Sequence, residues 1–331
     1  KKDADSGEVI PAAGTEFQLL DEERNPISMS VHYPQETVHS TFQTDESGSF
    51  ILPERLSAGI YYFQEIQAPE GYVISREPVR FEITEDHEWG DPFVIEFTDR
   101  PVMGQICIKK TDSVTGQGVG GAKFEIWTKE DILTPAGNIR MPAGSLAGVI
   151  VTGEDGSGRL DSLYLGKYEI REIEQPPGYV LAEEGCEVEL QYKDQETELV
   201  TVNLELPNQP TEVILRKTEE GTENELEGVE FSVWRKTETG DAADEKRCVT
   251  DEEGRIVLRY LTPGTYCVRE TEPLPGYLGD DAVWEFTVDT TGRIDGEDRM
   301  EYKIENQKTR ISGTRALWKE SGTKEIYAGE D

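Results

Sequence analysis

The chain has 331 residues and a formal net charge of −35 at pH 7, because 68 Asp and Glu residues outnumber 33 Lys and Arg residues. The basic residues are spread thinly, so the sequence contains no basic stripe that could follow a nucleic-acid backbone. An anionic membrane surface would repel a chain of this charge, and no run of about 18 apolar residues is present that could span a bilayer. The abrupt start at KKDADSG leads us to expect a piece of a longer protein.

The predicted elements are almost all strands. Several runs alternate apolar with polar residues, which is the period-2 pattern of a half-buried strand. In chain order these runs are GQICIKK (104–110), KYEIREI (167–173), EVILRK (212–217), TYCVRE (265–270) and WEFTVD (284–289). Because stretches with helical periodicity are scarce and turn signals recur every 8 to 12 residues or so, the pattern predicts an all-β fold built from β-sandwiches.

One phrase occurs three times, as YFQEIQAPEGY (62–72), YEIREIEQPPGY (168–179) and YCVRETEPLPGY (266–277). In each copy a Gly lies six residues before a Glu, and a Gly-Tyr pair ends the phrase seven residues after that Glu. A turn signature lies upstream of each Glu, as TDESG (44–48), TGEDG (152–156) and TDEEG (250–254).

The repeat period is about 100 residues, which indicates whole domains in tandem and not a solenoid. We predict module one at 1–101, module two at 102–210 and module three at 211–308, with 309–331 as the start of a further module or an extra strand. The Pro-bearing joints DRPVMGQ and NQPTEV are short, so the modules are expected to form a semi-rigid rod.

Strand alternation places charged residues on apolar faces. Lys110 shares a face with Ile106 and Ile108, and Lys217 shares one with Val213 and Leu215. The same alternation turns Glu172 and Glu270 inward. A Lys and a Glu buried in one module are costly unless they are paired. The last predicted strand of each module adds a third polar residue, which is Asp99, Asn208 or Asn306.

These motifs together resemble the tandem Cna protein B-type domains, also called SpaA-type pilin domains, of Gram-positive surface proteins. The resemblance covers about 1–308 and is carried by KTDSVTG (110–116), the three Glu-to-Gly-Tyr phrases and NQP (208–210). It implies Ig-like, prealbumin-like β-sandwich modules, each with an intramolecular isopeptide bond between a Lys Nζ and an Asn or Asp side chain. It also implies that a buried Glu, here Glu65, Glu172 or Glu270, assists proton transfer.

The resemblance assigns Lys110, Asn208 and Glu172 to module two, and Lys217, Asn306 and Glu270 to module three. In module one Asp99 stands where Asn is usual, and its lysine is Lys1, with Lys2 as the alternative. The competing interpretation of each triad is a buried salt bridge without a covalent bond. Burial lowers the pKa of a Lys and raises that of a Glu, which suits an amine nucleophile beside a proton donor.

The remaining motifs in the sequence give weaker evidence of function. GQGVGG (116–121) matches a dinucleotide fingerprint in letters but precedes the predicted strand AKFEIW, so a turn is expected. DADSG (3–7) lacks the later Glu of a calcium loop, and the histidines His32, His39 and His87 form no metal motif. The cysteines Cys107, Cys186, Cys248 and Cys267 have no zinc spacing; a disulfide between Cys248 and Cys267 and isolated thiols both stay open. In the tail, Arg315 occupies the Lys position of a further module, where no bond could form.

The resemblance therefore implies a non-enzymatic structural stalk, an adhesin or pilin-like segment of a cell-wall-anchored surface protein outside a Gram-positive cell. No cofactor or metal is expected, and neither nucleic acid nor membrane insertion. The expected partners are other modules of the same surface protein and a host extracellular protein or glycan. The alternatives are a ligand-binding array, for which Trp89 and Trp127 are the only aromatic signals, and an accessory region of a secreted enzyme.

Overall fold

A computed structural model describes residues 1–32, 35–85, 92–237, 239 and 242–309. Within these ranges the chain forms strands, turns and loops and no helix, so the predicted all-β class is confirmed. It follows that no helix among the described residues could cross a lipid bilayer.

Module one contains a four-stranded antiparallel sheet in the order β5-β2-β6-β7, a small hairpin of β3 and β4, and a two-stranded parallel sheet of β1 and β8. Its core is rich in phenylalanine, because inward positions of these strands carry Phe17, Phe42, Phe63 and Phe81. The strands are β1 Lys2–Asp3, β2 Glu16–Leu20, β3 Met29–Val31, β4 Thr37–His39, β5 Phe42–Gln43, β6 Gly59–Gln67, β7 Val79–Ile83 and β8 Thr98–Asp99.

Module two packs a four-stranded sheet, in the order β13-β10-β15-β16, against a three-stranded sheet, in the order β14-β9-β17. A separate hairpin of β11 and β12 lies between β10 and β13 in the chain. The strands are β9 Met103–Asp112, β10 Lys123–Thr128, β11 Ile132–Leu133, β12 Ile139–Met141, β13 Leu146–Val151, β14 Ser157–Tyr164, β15 Gly166–Glu174, β16 Cys186–Leu190 and β17 Leu199–Asn208.

Module three has the same two-layer plan, with a four-stranded sheet in the order β20-β19-β22-β23 and a three-stranded sheet in the order β21-β18-β24. Side chains from both sheets, such as Leu215 of β18 and Phe231 of β19, form one core. The strands are β18 Glu212–Glu219, β19 Glu230–Lys236, β20 Ala242–Val249, β21 Arg255–Arg259, β22 Gly264–Glu272, β23 Val283–Val288 and β24 Arg299–Asn306.

Close contacts divide the chain into two compact units. The first comprises Lys1–Glu174 and Ala182–Pro207, and the second comprises Gln175–Leu181 and the residues from Asn208 onward. The first unit therefore holds the cores of modules one and two, and the second holds the core of module three. The module boundaries near 102 and 210 stay a prediction.

One predicted strand is much shorter in the structure, while the turn predicted before β10 is present. The last predicted strand of module one lies in FVIEFTDRP (93–101) and carries Asp99. In the structure only Thr98–Asp99 of this run forms a strand. GQGVGG leads into strand β10, as expected, and its glycines serve close packing: a Cβ on Gly118 would lie 1.8 Å from the carbonyl oxygen of Asp155.

Candidate functional site

In module three, Lys217, Glu270 and Asn306 meet inside the sandwich, and all three are buried. Lys217 Nζ donates to Asn306 Oδ1 at 2.5 Å and lies 2.9 Å from Glu270 Oε2. Asn306 Nδ2 donates to Glu270 Oε1 at 2.7 Å. The carboxyl group of Glu270 therefore contacts both the amine of the lysine and the amide nitrogen of the asparagine.

Strand register explains this meeting. β18 and β24 are parallel neighbours, and Glu219 lies opposite Asn306. Since side chains two residues apart share a face, Lys217 is the diagonal neighbour of Asn306 on the inward face. Glu270 reaches the pair from β22 in the facing sheet.

Module one repeats the arrangement with an aspartate. Asp3 of β1 lies opposite Asp99 of β8, so Lys1 is again the diagonal neighbour of the acceptor. Lys1 Nζ donates to Asp99 Oδ1 and lies 2.7 Å from Glu65 Oε1, with each of these side chains at most 1% exposed. Lys2, the alternative, points outward and pairs with Glu96 at the surface. The structure thus brings together Lys1, Glu65 and Asp99.

In module two, Lys110 of β9 and Glu172 of β15 form a buried ion pair, with Nζ 3.2 Å from both carboxyl oxygens. The backbone N–H of Ala182 also donates to Glu172 Oε2 at 3.1 Å. Asn208 is the last residue of β17, the strand beside β9, and is 2% exposed. All three predicted residues of module two are therefore buried.

The backbone of each buried lysine is held by two hydrogen bonds that recur in all three modules. Its backbone nitrogen, which in Lys1 is the terminal amino group, donates to the Gly carbonyl of the turn signature that precedes the Glu strand, and its own carbonyl accepts an N–H from the loop after the first strand. The bonds to the Gly carbonyls are Lys1–Gly48 at 2.9 Å, Lys110–Gly156 at 2.7 Å and Lys217–Gly254 at 2.7 Å. The bonds from the loop are Ile10–Lys1 at 3.1 Å, Val119–Lys110 at 3.0 Å and Leu226–Lys217 at 3.0 Å. The turn signature is thus part of the site, a role that the sequence pattern alone did not indicate.

An aromatic ring faces each lysine, and sequence reasoning missed this feature. Lys1 Nζ lies 5.2 Å from the ring centre of Phe17, Lys110 Nζ 5.4 Å from that of Phe124, and Lys217 Nζ 5.7 Å from that of Phe231. Each Phe stands directly opposite the Glu of its module on the neighbouring strand. The sequence did contain a signal for this feature, because each of the three Phe residues follows the first loop of its module and lies three residues after a Gly. Strand alternation alone, however, indicated only that these Phe residues belong to the core.

The tyrosine that ends the repeated phrase also contacts the lysine strand. Tyr72 donates its hydroxyl to Asp3 Oδ2 at 2.7 Å, and Tyr277 donates to Glu219 Oε2 at 3.0 Å. In both cases the acceptor lies two residues after the buried lysine. The fixed spacing from Glu to Tyr in the repeat therefore has a structural reason, since it joins the loop after the Glu strand to the first strand.

Burial shifts the pKa values of Lys110, Lys217, Glu172 and Asp99 toward their neutral forms. Desolvation lowers the pKa of Lys110 and of Lys217, against the attraction of Glu172 and of Glu270. Desolvation likewise raises the pKa of Glu172. In module one, burial raises the pKa of Asp99 to about 6, with the charge of Lys1 opposing and that of Glu65 adding to the shift. A neutral amine beside a protonated carboxyl group is the combination that amide formation requires.

The remaining predicted residues form no second site among the residues that the structure describes. No cluster of His, Cys, Asp and Glu there could hold a metal ion. His32 and His39 are exposed, and His87, Trp89 and Arg315 lie outside the described residues. Trp127 is half-buried and donates to Glu125. The four cysteines are free thiols. Cys248 of β20 and Cys267 of β22 lie on strands separated by β19, so the disulfide between them is not formed.

The family model for the SpaA prealbumin-like fold domain matches three times, at 1–91, 104–205 and 211–301. No curated protein matches.

Among solved structures, the TIE protein of Bacillus anthracis is similar at 23% identity and a TM-score of 0.52, over 92% of this chain and 49% of that protein. This chain thus spans about half the length of that relative. A streptococcal ancillary pilin is 19% identical (TM-score 0.30, 91% of this chain and 93% of that one). The shaft pilin SpaA of Lactobacillus rhamnosus GG is 15% identical (TM-score 0.26, 63% and 99%). Since the three family matches together cover most of the sequence, the chain belongs to the family of SpaA prealbumin-like fold domains.

Proposed function

We propose that this chain is a structural stalk segment of a cell-wall-anchored, pilin-like or adhesive surface protein, whose modules form intramolecular isopeptide bonds without the help of an enzyme. The observation that carries the proposal is the triad of module three, where one carboxyl group contacts both the attacking amine and the departing amide nitrogen. Membership of the SpaA domain family supports a structural role at the surface of a Gram-positive cell.

The reaction in module three balances as an amide exchange. The neutral Lys217 Nζ attacks Cγ of Asn306, a new C–N bond forms, and the bond from Cγ to Nδ2 breaks. Glu270 takes a proton from Nζ and delivers one to Nδ2, which leaves as ammonia. The site supplies proximity, for which effective molarities reach about 10⁵–10⁸ M.

In module one the electrophile is a carboxylic acid, so water leaves in place of ammonia. Asp99 must be protonated for this step, because the departing oxygen needs its proton and a carboxylate resists attack by an amine. The raised pKa of Asp99, about 6, increases the fraction of this form near neutral pH over that of an ordinary aspartate. Module two is proposed to react as module three does, with Lys110, Glu172 and Asn208 in the corresponding roles.

The alternative, a buried ion pair that never reacts, is the weaker interpretation for a physical reason. Replacing a buried ion pair by apolar residues is often neutral or stabilising, so such a pair is by itself a poor stabilising device. Three modules nevertheless hold a lysine at nearly full burial between a carboxyl group and an aromatic ring. A covalent product accounts for this cost, since the amide is neutral once formed.

A bond between the first and last strands suits a stalk under tension. Lys217 and Asn306 are 89 residues apart, so the bond closes nearly all of module three into one loop. A force applied to both ends of the module then acts on a covalent bridge and not on the hydrogen bonds of the sheet. The bond forms once in each molecule, so the chemistry is maturation and not turnover.

The intact mass of the reduced protein tests the proposal. Each bond from Asn lowers the mass by about 17 Da and each bond from Asp by about 18 Da. We expect three losses, located by fragmentation to peptides that join Lys1 with Asp99, Lys110 with Asn208, and Lys217 with Asn306. A mass equal to that of the unmodified sequence would refute the proposal and leave ligand binding as the next function to examine.

A further inference from the structure

The first strand of module one is much shorter than those of the other modules. β1 and β8 pair over two residues, whereas β18 and β24 pair over eight. The strand bearing Lys217 also has a neighbour on each side, while β1 and β8 form a sheet of two. Module one therefore supplies little sheet to hold Lys1 against Asp99.

Module two supplies contacts to the same segment. Arg140 of β12 places its Nη2 2.9 Å from Asp3 Oδ2, with the Arg140 side chain 12% exposed and the Asp3 side chain 0% exposed. The hydroxyl of Tyr164 donates to Asp5 Oδ2 at 3.2 Å, and Asn138 Nδ2 donates to Glu8 Oε1 at 2.8 Å. Three side chains of module two thus hold residues 3–8.

The hairpin that carries Arg140 is itself firmly placed. Ile132 of β11 is part of the buried core of module two, and Met141 of β12 packs against that core. The guanidinium group of Arg140 lies over the ring of Tyr164, 4.3 Å from its centre. A planar guanidinium group held over a ring in this way has few alternative orientations, so its contact with Asp3 is directional.

Asp3 connects this hairpin to the reactive lysine. It lies two residues after Lys1 and opposite Asp99, and it also accepts the hydroxyl of Tyr72. Burial opposes the charge of Asp3, but hydrogen bonds from Ser6, Tyr72 and Arg140 outweigh it and lower the pKa of Asp3 to about 2. Asp3 therefore stays charged at neutral pH and keeps its attraction for Arg140.

We propose that Arg140 of module two is a positioning residue for module one, which holds Asp3 so that Lys1 Nζ meets Asp99 before their bond forms. The inference rests on the proposed function. It makes the maturation of module one dependent on a folded module two, whereas modules two and three hold their own lysines on long strands. A docking error of about 1 Å can slow an intramolecular reaction roughly 100-fold, so the loss of one ionic contact is enough to matter.

The test follows bond formation with time in pulse-labelled, in vitro translated full-length chain. The quantity measured is the cross-linked peptide that joins Lys1 with Asp99, relative to the peptides that report the other two bonds. In Arg140→Ala we expect the rate for module one to fall roughly 10- to 100-fold, with the other two rates unchanged. Arg140→Lys keeps a charge for Asp3 but cannot lie flat on Tyr164, and should recover part of the rate.

The matched control is Arg159→Ala, because Arg159 is an exposed arginine of β14 in the same module that pairs with Asp161 at the surface. The bonds of modules two and three report in the same sample that the variant has folded. If Arg140→Ala forms the first bond at the wild-type rate, the inference is wrong, even if the variant melts earlier. If the wild-type chain forms no bond between Lys1 and Asp99, the proposed function itself fails for module one.

Discussion

Replacing Glu270 by glutamine separates a covalent cross-link from a buried polar cluster. In the folded module Glu270 Oε2 lies 2.9 Å from Lys217 Nζ, and Oε1 accepts from Asn306 Nδ2 at 2.7 Å. A glutamine has the same size and keeps an oxygen for Asn306, but it cannot take a proton from the amine and pass one to the departing nitrogen. We therefore expect Glu270→Gln to fold without the bond in module three.

The size of the effect on stability follows from the loop that the bond closes. Lys217 and Asn306 are 89 residues apart, and for a cross-link of this span the chain-entropy relation gives roughly 4–5 kcal/mol. In a module of about 100 residues, 1 kcal/mol moves Tm by about 4–8 °C. The melting transition of module three should therefore fall by roughly 20–35 °C in the variant.

Two measurements check this expectation. The intact mass should rise by about 17 Da relative to wild type, after allowance for the substitution itself, and calorimetry should show the lower transition. Glu272→Gln is the matched control, because Glu272 lies on the same strand with its side chain exposed, and it should change neither quantity. Lys217→Met removes the amine and its charge together, so agreement of its Tm with that of Glu270→Gln would assign the loss to the bond and not to an unpaired ammonium group.

Retention of the full mass deficit in Glu270→Gln would refute the assigned role of the glutamate. Loss of the bond with a Tm within about 2 °C of wild type would refute the entropic argument. In the second case the bond would exist in the wild-type protein, but it would add little to thermal stability, and its effect would have to be measured under mechanical load.

Two further predictions concern the other modules. Asp99→Asn makes the electrophile of module one an amide, so the first bond should still form with ammonia as the leaving group, and its mass loss in intact-mass spectrometry should change from about 18 to about 17 Da. Gly156 has φ +82°, and an added Cβ would lie 2.2 Å from the carbonyl oxygen of Lys110, so Gly156→Ala should destabilise module two by at least about 1–2 kcal/mol in chemical denaturation. Gly153→Ala in the same turn, where the nearest atom would be 3.5 Å away, should cost less than half as much.

The fold class and the buried position of the charged residues could be predicted from the sequence. Alternation with period two is a local property of a strand, so Lys110 could be placed on the face of Ile106 and Ile108 without knowledge of the other strands. The same reasoning turned Glu172 and Glu270 inward, and all three are buried. The repeat of the phrase, with its fixed spacings, then showed that the modules share one design.

Which side chains meet could not be predicted from the sequence, because it depends on how distant strands pair. Lys1 and Lys2 are adjacent in sequence, and the pairing of Asp3 with Asp99 is what turns Lys1 inward and Lys2 toward Glu96. The contact of Lys217 with Asn306 joins residues 89 positions apart through the register of two parallel strands. No local pattern encodes a register between strands so distant in the chain.

The contact between Arg140 and Asp3 is the clearest case of information absent from the local sequence. Nothing in the letters around Arg140 marks it, because its significance depends on a hairpin of module two that reaches a strand of module one. Periodicity indicates which face of a strand is buried, because the alternation of apolar and polar residues can be read within one segment of the chain. The partner of a buried charged side chain depends instead on how distant segments pack together, and in these modules only the folded structure identifies that partner.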